Sequence, residues 1–139
     1  MEREYDIAER LINYASAMLD LVDMLPSTKV ANHLAGQLIR SCTSPALNYA
    51  ESEAAESPKD FVHKLHVALK ELKECRIVLR LILIRKMIGS ITTVGKNLIE
   101  TEELIAILGK SISTATKNMY SKKKREEEPN YDSSYADEN

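Results

Sequence analysis

Residues 57–89, SPKDFVHKLHVALKELKECRIVLRLILIRKMIG, decide the fold. Ser57 can cap a helix, Pro58 suits the first helical position because it has no amide hydrogen to satisfy, and Asp60 falls three residues after the cap. From there Phe61, Leu65, Ala68, Leu72, Cys75, Leu79 and Ile82 recur at three- and four-residue steps, the spacing of one helical face packed on other helices. Gly89, free to take a left-handed conformation, is expected to close the helix near Ile88.

Three more segments carry the same spacing. The first, about Glu2 to Leu25, aligns Ala8, Leu11, Ala15, Met18, Val22 and Leu25, and Pro26 with Ser27 ends it. The second, about Thr28 to Ala55, aligns Ala31, Ala35, Leu38, Cys42, Pro45 and Tyr49. Pro45 lacks an amide hydrogen and crowds the preceding turn, so a kink is expected there. In the fourth, Gly95 and Gly109 weaken the pattern, but Val94, Leu98, Thr101, Ile105, Leu108, Ile112, Ala115 and Met119 preserve it. The spacing predicts one helix from about Ile91 to Tyr120, with a loop to Glu100 and a shorter helix as the alternative.

Short connections between long helices make sequential neighbours antiparallel. The fold class is therefore all-α: an up-down-up-down antiparallel four-helix bundle over residues 1–120. Composition agrees, with 44% hydrophobic residues but only four Gly, four Pro, one Phe and no Trp among 139 residues. A sandwich or barrel needs more turn residues and aromatics. Residues 121–139 form a basic run, an acidic run and a polar end, too poor in apolar side chains to offset chain entropy. They are expected to be a disordered charged tail, with room for a helical extension at its start. No apolar run approaches the roughly 20 residues of a membrane span, and no signal peptide stands out, so a cytoplasmic protein is the default.

A second apolar stripe on the third segment carries the functional reading. At about 100° per residue, Ile77, Leu81, Ile84 and Ile88 fall opposite Cys75, Leu79 and Ile82. One apolar face suffices inside an isolated bundle, so a second implies a second partner. A homo-oligomer is expected, with a wider core or cover from the fourth helix or the tail as the plainer account. Charge is segregated too: Lys59 to Lys86 holds eight Lys or Arg against three acids, whereas residues 1–25 hold six acids against two Arg. Complementary pairing within or between subunits accounts for this. A basic ridge of Lys70, Lys73, Arg76 and Arg80 that meets phosphates is the alternative. The formal net charge of −2 gives no global field to recruit nucleic acid.

The run from Arg40 to Ile82 resembles the 23S ribosomal RNA intervening-sequence proteins. Arg40, Ser41, Thr43, Ser44, Asn48, Glu51, the Ala55-Glu56-Ser57 triplet, Asp60, Phe61, Lys64, Leu65, the Ala68-Leu69-Lys70-Glu71 run, Glu74 and Arg76 carry the resemblance. Val78 stands where that family usually has an aromatic, Cys42 where it has a small flexible residue, and Pro45-Ala46 where Ile-Gly is common. The resemblance implies a four-helix bundle assembling into a ring, typically a homopentamer, with no enzymatic activity. Some members are encoded inside intervening sequences of ribosomal RNA genes, and a similar bundle serves retroelements as an accessory protein that engages nucleic acid and a reverse transcriptase. With Leu38 facing inward, Arg40, Ser44, Leu47 and Glu51 fall on the outer side of the second helix, as an intersubunit surface, a partner site or a solvated polar face would require.

Catalytic patterns are absent. There is no glycine-rich phosphate loop, and a di-iron bundle would need two Glu-x-x-His sets where this chain offers only Asp60-x-x-His63. His63 and His66 read better as surface or structural residues than as metal ligands. Cys42 and Cys75 sit in apolar stripes as small buried side chains, with a disulfide or metal pair less favoured. The expectation is a non-enzymatic protein without metal or cofactor. Its partners are further copies of itself, with a protein partner and nucleic acid as further options.

Overall fold

The computed structural model describes residues 6–128. Four helices, α1 (Ile7–Asp23), α2 (Lys29–Glu53), α3 (Pro58–Ile84) and α4 (Ile91–Glu127), form the bundle. Each begins on a side-chain cap: Asp6 accepts from the Glu9 amide, Thr28 from Ala31, Ser57 from Asp60 and Ser90 from Thr93. Each cap satisfies one of the amides that a first turn leaves without a partner. Helices pack against their neighbours in chain order and α4 returns to α1, while the Cα traces of the diagonal pairs α1/α3 and α2/α4 stay more than 8 Å apart.

Leu11, Tyr14, Met18 and Leu21 of α1 meet Leu38 and Cys42 of α2, Leu65, Leu72, Cys75, Leu79 and Ile82 of α3, and Val94, Leu104 and Leu108 of α4 in one core. The α1 face is turned from the expected one: Tyr14 and Leu21 are buried, whereas Ala8, Ala15 and Val22 lie at the margin. Leu11 and Met18 belong to both stripes, and the bulkier flank wins because it removes more apolar surface from water. The α2 helix is assigned unbroken through Pro45, whose ring is buried. The α4 helix is likewise continuous through Gly95 and Gly109, so the loop alternative falls away.

Two expectations about the end of α3 are corrected. The helix stops at Ile84, and the left-handed residue is Lys86 (φ 52°), not Gly89. The Met87 amide donates to the Ile82 carbonyl and the Lys86 amide to that of Leu83, a Schellman closure three residues earlier than expected. Past that turn the helical wheel no longer applies, and Ile88 folds back into the core at 5% exposure. It is a core residue, not part of an outer stripe. At the other end, α4 passes the expected boundary at Tyr120 and runs to Glu127 as exposed helix. Residues 1–5 and 129–139, which include the rest of the expected tail, lie outside the described residues.

Candidate assembly surface

The outer face of α3 is set by the inner one. With Cys75, Val78, Leu79 and Ile82 buried, the 100° step leaves Ile77, Leu81 and Ile84 facing away at 51%, 42% and 71% exposure. Ile77 is a ridge between two grooves. The larger, about 1030 Å³, runs between α2 and α3 and is lined by Arg40, Ser41, Ser44, Lys70, Glu71, Lys73, Glu74 and Leu81 among others. The shallower one, about 560 Å³, runs between α3 and α4 and brings Ile99 and Leu98 beside Ile77, Arg76 and Arg80. Ile99 is 64% exposed and widens the apolar surface beyond the α3 stripe.

The larger groove holds a polar patch. Ser41 Oγ donates to Glu74 Oε2 at 3.1 Å. Burial, then the neighbouring Glu74 carboxylate, pushes the Glu71 carboxyl above the ordinary range, against the pull of Ser41 and Lys70. Arg40, Lys70 and Lys73 stand exposed around this pair.

The outer residues of α2 divide. Arg40 and Ser44 line the groove, Leu47 is exposed further along α2, and Glu51 is committed to Lys64 of α3 at 2.7 Å. The basic ridge divides as well. Lys70, Lys73 and Arg80 are exposed, but Arg76 pairs with Glu102 of α4 at 3.3 Å, and Glu71 and Glu74 interrupt the positive surface. Sequence reasoning missed the Ser41–Glu74 contact and Ile99. The first pair was visible as two of the family-matching residues, but their 33-residue separation gave no sign that they touch.

Among the described residues no group of three or more His, Cys, Asp or Glu side chains is placed to hold a metal ion. His63 and His66 are both exposed. Cys42 and Cys75 are free and buried, and burial pushes their thiols up to about 11 and about 12, so neither is primed as a nucleophile at neutral pH. No described helix is long and apolar enough to cross a membrane.

A bundle of four helices whose polar residues serve caps, ion pairs and a surface groove defines an all-α four-helix-bundle protein. A family model described as 23S rRNA-intervening sequence protein matches residues 3–110, and the chain belongs to that family. The chain is also similar to the crystal structure of a protein with unknown function from the S23 ribosomal protein family of Bacteroides thetaiotaomicron. That likeness has a TM-score of 0.71 at 26% identity and covers 76% of this chain and 97% of that one. Among curated proteins none matches.

Proposed function

We propose that this protein is a non-enzymatic, cytoplasmic interaction or scaffold module that self-assembles as a homopentameric ring through the outer face of α3. The observation that carries this reading is the exposure of Ile77, Leu81 and Ile84 on a helix whose opposite face already fills the core. Burying each such side chain stabilises by roughly 1.5–3 kcal/mol before the cost of association, and a closed ring repeats that gain in every subunit. The family resemblance supplies the subunit number. In the double variant Leu81→Glu with Ile84→Glu, two carboxylates enter each copy of the surface, and desolvating them outweighs what the contact returns. Light scattering at tens of micromolar should show an assembly for the wild type and a helical monomer for the variant. A wild type that is monomeric at that concentration rejects the reading.

A nucleic-acid-binding accessory role, with ribosomal RNA or a retroelement transcript as ligand, is the second reading. It draws on the exposure of Lys70, Lys73 and Arg80 along one face of α3. Such binding is weak, falls steeply with salt and is lost on changing those three residues to Glu. Tight binding that survives 0.5 M salt, on the order of five times that at which charge contacts are already screened to about 10 Å, rejects the electrostatic account.

A further inference from the structure

The α1 helix carries an outer stripe of its own. Ile12, Ser16, Leu19 and Asp23 follow at four, three and four residues, a narrow sector at about 100° per residue and opposite the buried Leu11, Tyr14, Met18 and Leu21. Ile12 and Leu19 are 52% and 37% exposed. Glu9, Asp20 and Asp23 stand exposed around them, and within the described residues none of the three takes part in an ion pair.

This face mirrors that of α3 in spacing and opposes it in charge. Ile12 and Leu19 are seven residues apart, as are Ile77 and Ile84, so each pair spans about two turns, roughly 10 Å along its helix. Lys70, Lys73, Arg80 and Arg85 are exposed around the α3 pair and take part in none of the ion pairs, and they outnumber the one exposed acid of α3, Glu74. The two helices are diagonal in the bundle and meet only through their buried core side chains. Their opposite charges therefore do not neutralise each other within one chain, and the two faces look outward from opposite corners.

We infer that the partner of the α3 face is the α1 face of the next copy, an inference that rests on the self-assembly reading and adds the second surface. Pairing α3 with α3 across a two-fold axis brings four cationic side chains from each copy together, and pairing α1 with α1 brings carboxylates together. Both arrangements are opposed by like-charge repulsion. Only α1 on α3 places apolar on apolar with acids against bases. That contact is head to tail, and each copy offers one face of each kind, so association closes into a ring when the rotation between copies completes a full turn.

Charge-swapped full-length chains test the pairing. Asp20→Lys with Asp23→Lys leaves the fold intact, because both sites are exposed and cations suit the last turn of a helix. Arg80→Glu with Arg85→Glu alters only the α3 face. Each double variant alone should need about tenfold or more higher concentration to assemble at low salt, and one chain that carries all four substitutions should recover assembly, since every α1–α3 contact in the ring is then complementary again. A wild type that is monomeric overturns the self-assembly reading itself. An assembled wild type whose α1 variant assembles unchanged, or a chain with all four substitutions that fails to recover, overturns the α1–α3 pairing alone.

Discussion

The Tyr14 hydroxyl of α1 lies 2.7 Å from the Thr101 hydroxyl of α4, inside a core otherwise built mainly of aliphatic side chains and two thiols. Thr101 Oγ1 donates in turn to the Asn97 carbonyl at 2.7 Å, which leaves the phenol as donor to Thr101. Burial is the main cause that raises the Tyr14 phenol above its ordinary range, so it stays protonated and able to donate. The α1–α4 seam gains a second tie at the surface, where Arg10 Nε meets Glu100 Oε1 at 2.6 Å and the same guanidinium reaches Glu103.

Thr101→Val keeps the branched shape and removes the acceptor, stranding a buried phenol at a cost of about 1–3 kcal/mol. Tyr14→Phe leaves Thr101 bonded to Asn97 and costs about 0.5–1.5 kcal/mol. Urea denaturation of the two variants should rank them in that order. The reverse order shows that the donor assignment is wrong.

The turn after α3 offers a second test. Lys86 holds φ 52°, where a side chain is strained, whereas Gly89 does not. A Cβ added at Gly89 meets nothing within 4 Å. Lys86→Gly relieves the strained turn, and Gly89→Ala removes freedom from the unfolded chain, so each should stabilise by about 0.4–1 kcal/mol. A loss of melting temperature on Gly89→Ala would show that the glycine is needed after all.

These two residues also show what the sequence could and could not disclose. Ser57, Pro58 and Asp60 announced the start of α3 because caps act over one turn, a range that a sequence displays directly. Where α3 ends was hidden, since a lysine can occupy the left-handed position that glycine prefers and no local pattern records which of the two does so. Everything resting on that end inherited the error, which is why Ile88 looked like the fourth member of an outer stripe. The rotation of α1 was hidden for another reason. Tyr14 reads as a half-polar surface residue until Thr101, 87 positions away, supplies its partner. The outer positions of Ile77, Leu81 and Ile84 were legible because the apolar period of α3 fixes both faces of the helix at once.

Ile84 and Ile88 are alike in chemistry and opposite in burial, at 71% and 5% exposure. Ile88→Ala should lower the stability of the folded subunit by about 2–4 kcal/mol through the lost contacts and the cavity. Ile84→Ala should leave the stability of a dissociated subunit within about 0.5 kcal/mol of the parent. Equal effects in denaturant titrations of dilute protein would contradict the assigned end of α3.

Removing residues 121–139 takes away exposed helix and no buried side chain among the residues described. The melting temperature should hold within about 2 °C, since a surface change within about 0.5 kcal/mol shifts it no further in a domain of this size. Total helical circular dichroism should fall by the share of the lost turns of α4. A large drop in melting temperature would mean that the removed segment packs on the bundle.

The Glu71–Glu74 pair gives the groove a pH dependence whose sign is fixed by its surroundings. Burial and the adjacent Glu74 raise the Glu71 carboxyl, while Ser41 and Lys70 pull it down. Arg40, His66 and Lys73 line the same groove. A folded-state value above the unfolded one means that Glu71 contributes most stability below the unfolded carboxylate range, near 4.3. That contribution is lost as pH rises through the folded value. Glu71→Gln removes the penalty without touching the Ser41–Glu74 hydrogen bond, so it should raise the melting temperature at pH 7. The gain should shrink towards zero near pH 4, where the wild-type carboxyl is increasingly protonated. Glu74→Gln relieves the same repulsion but weakens the bond accepted from Ser41 Oγ, so its gain at pH 7 should be smaller. Assembly would mask these differences, so the measurement belongs in protein dilute enough to be dissociated, with the groove residues otherwise unchanged. A Glu71→Gln effect that is negative, or that keeps its size from pH 7 to pH 4, would show that neither burial nor Glu74 penalises the charged Glu71 carboxylate.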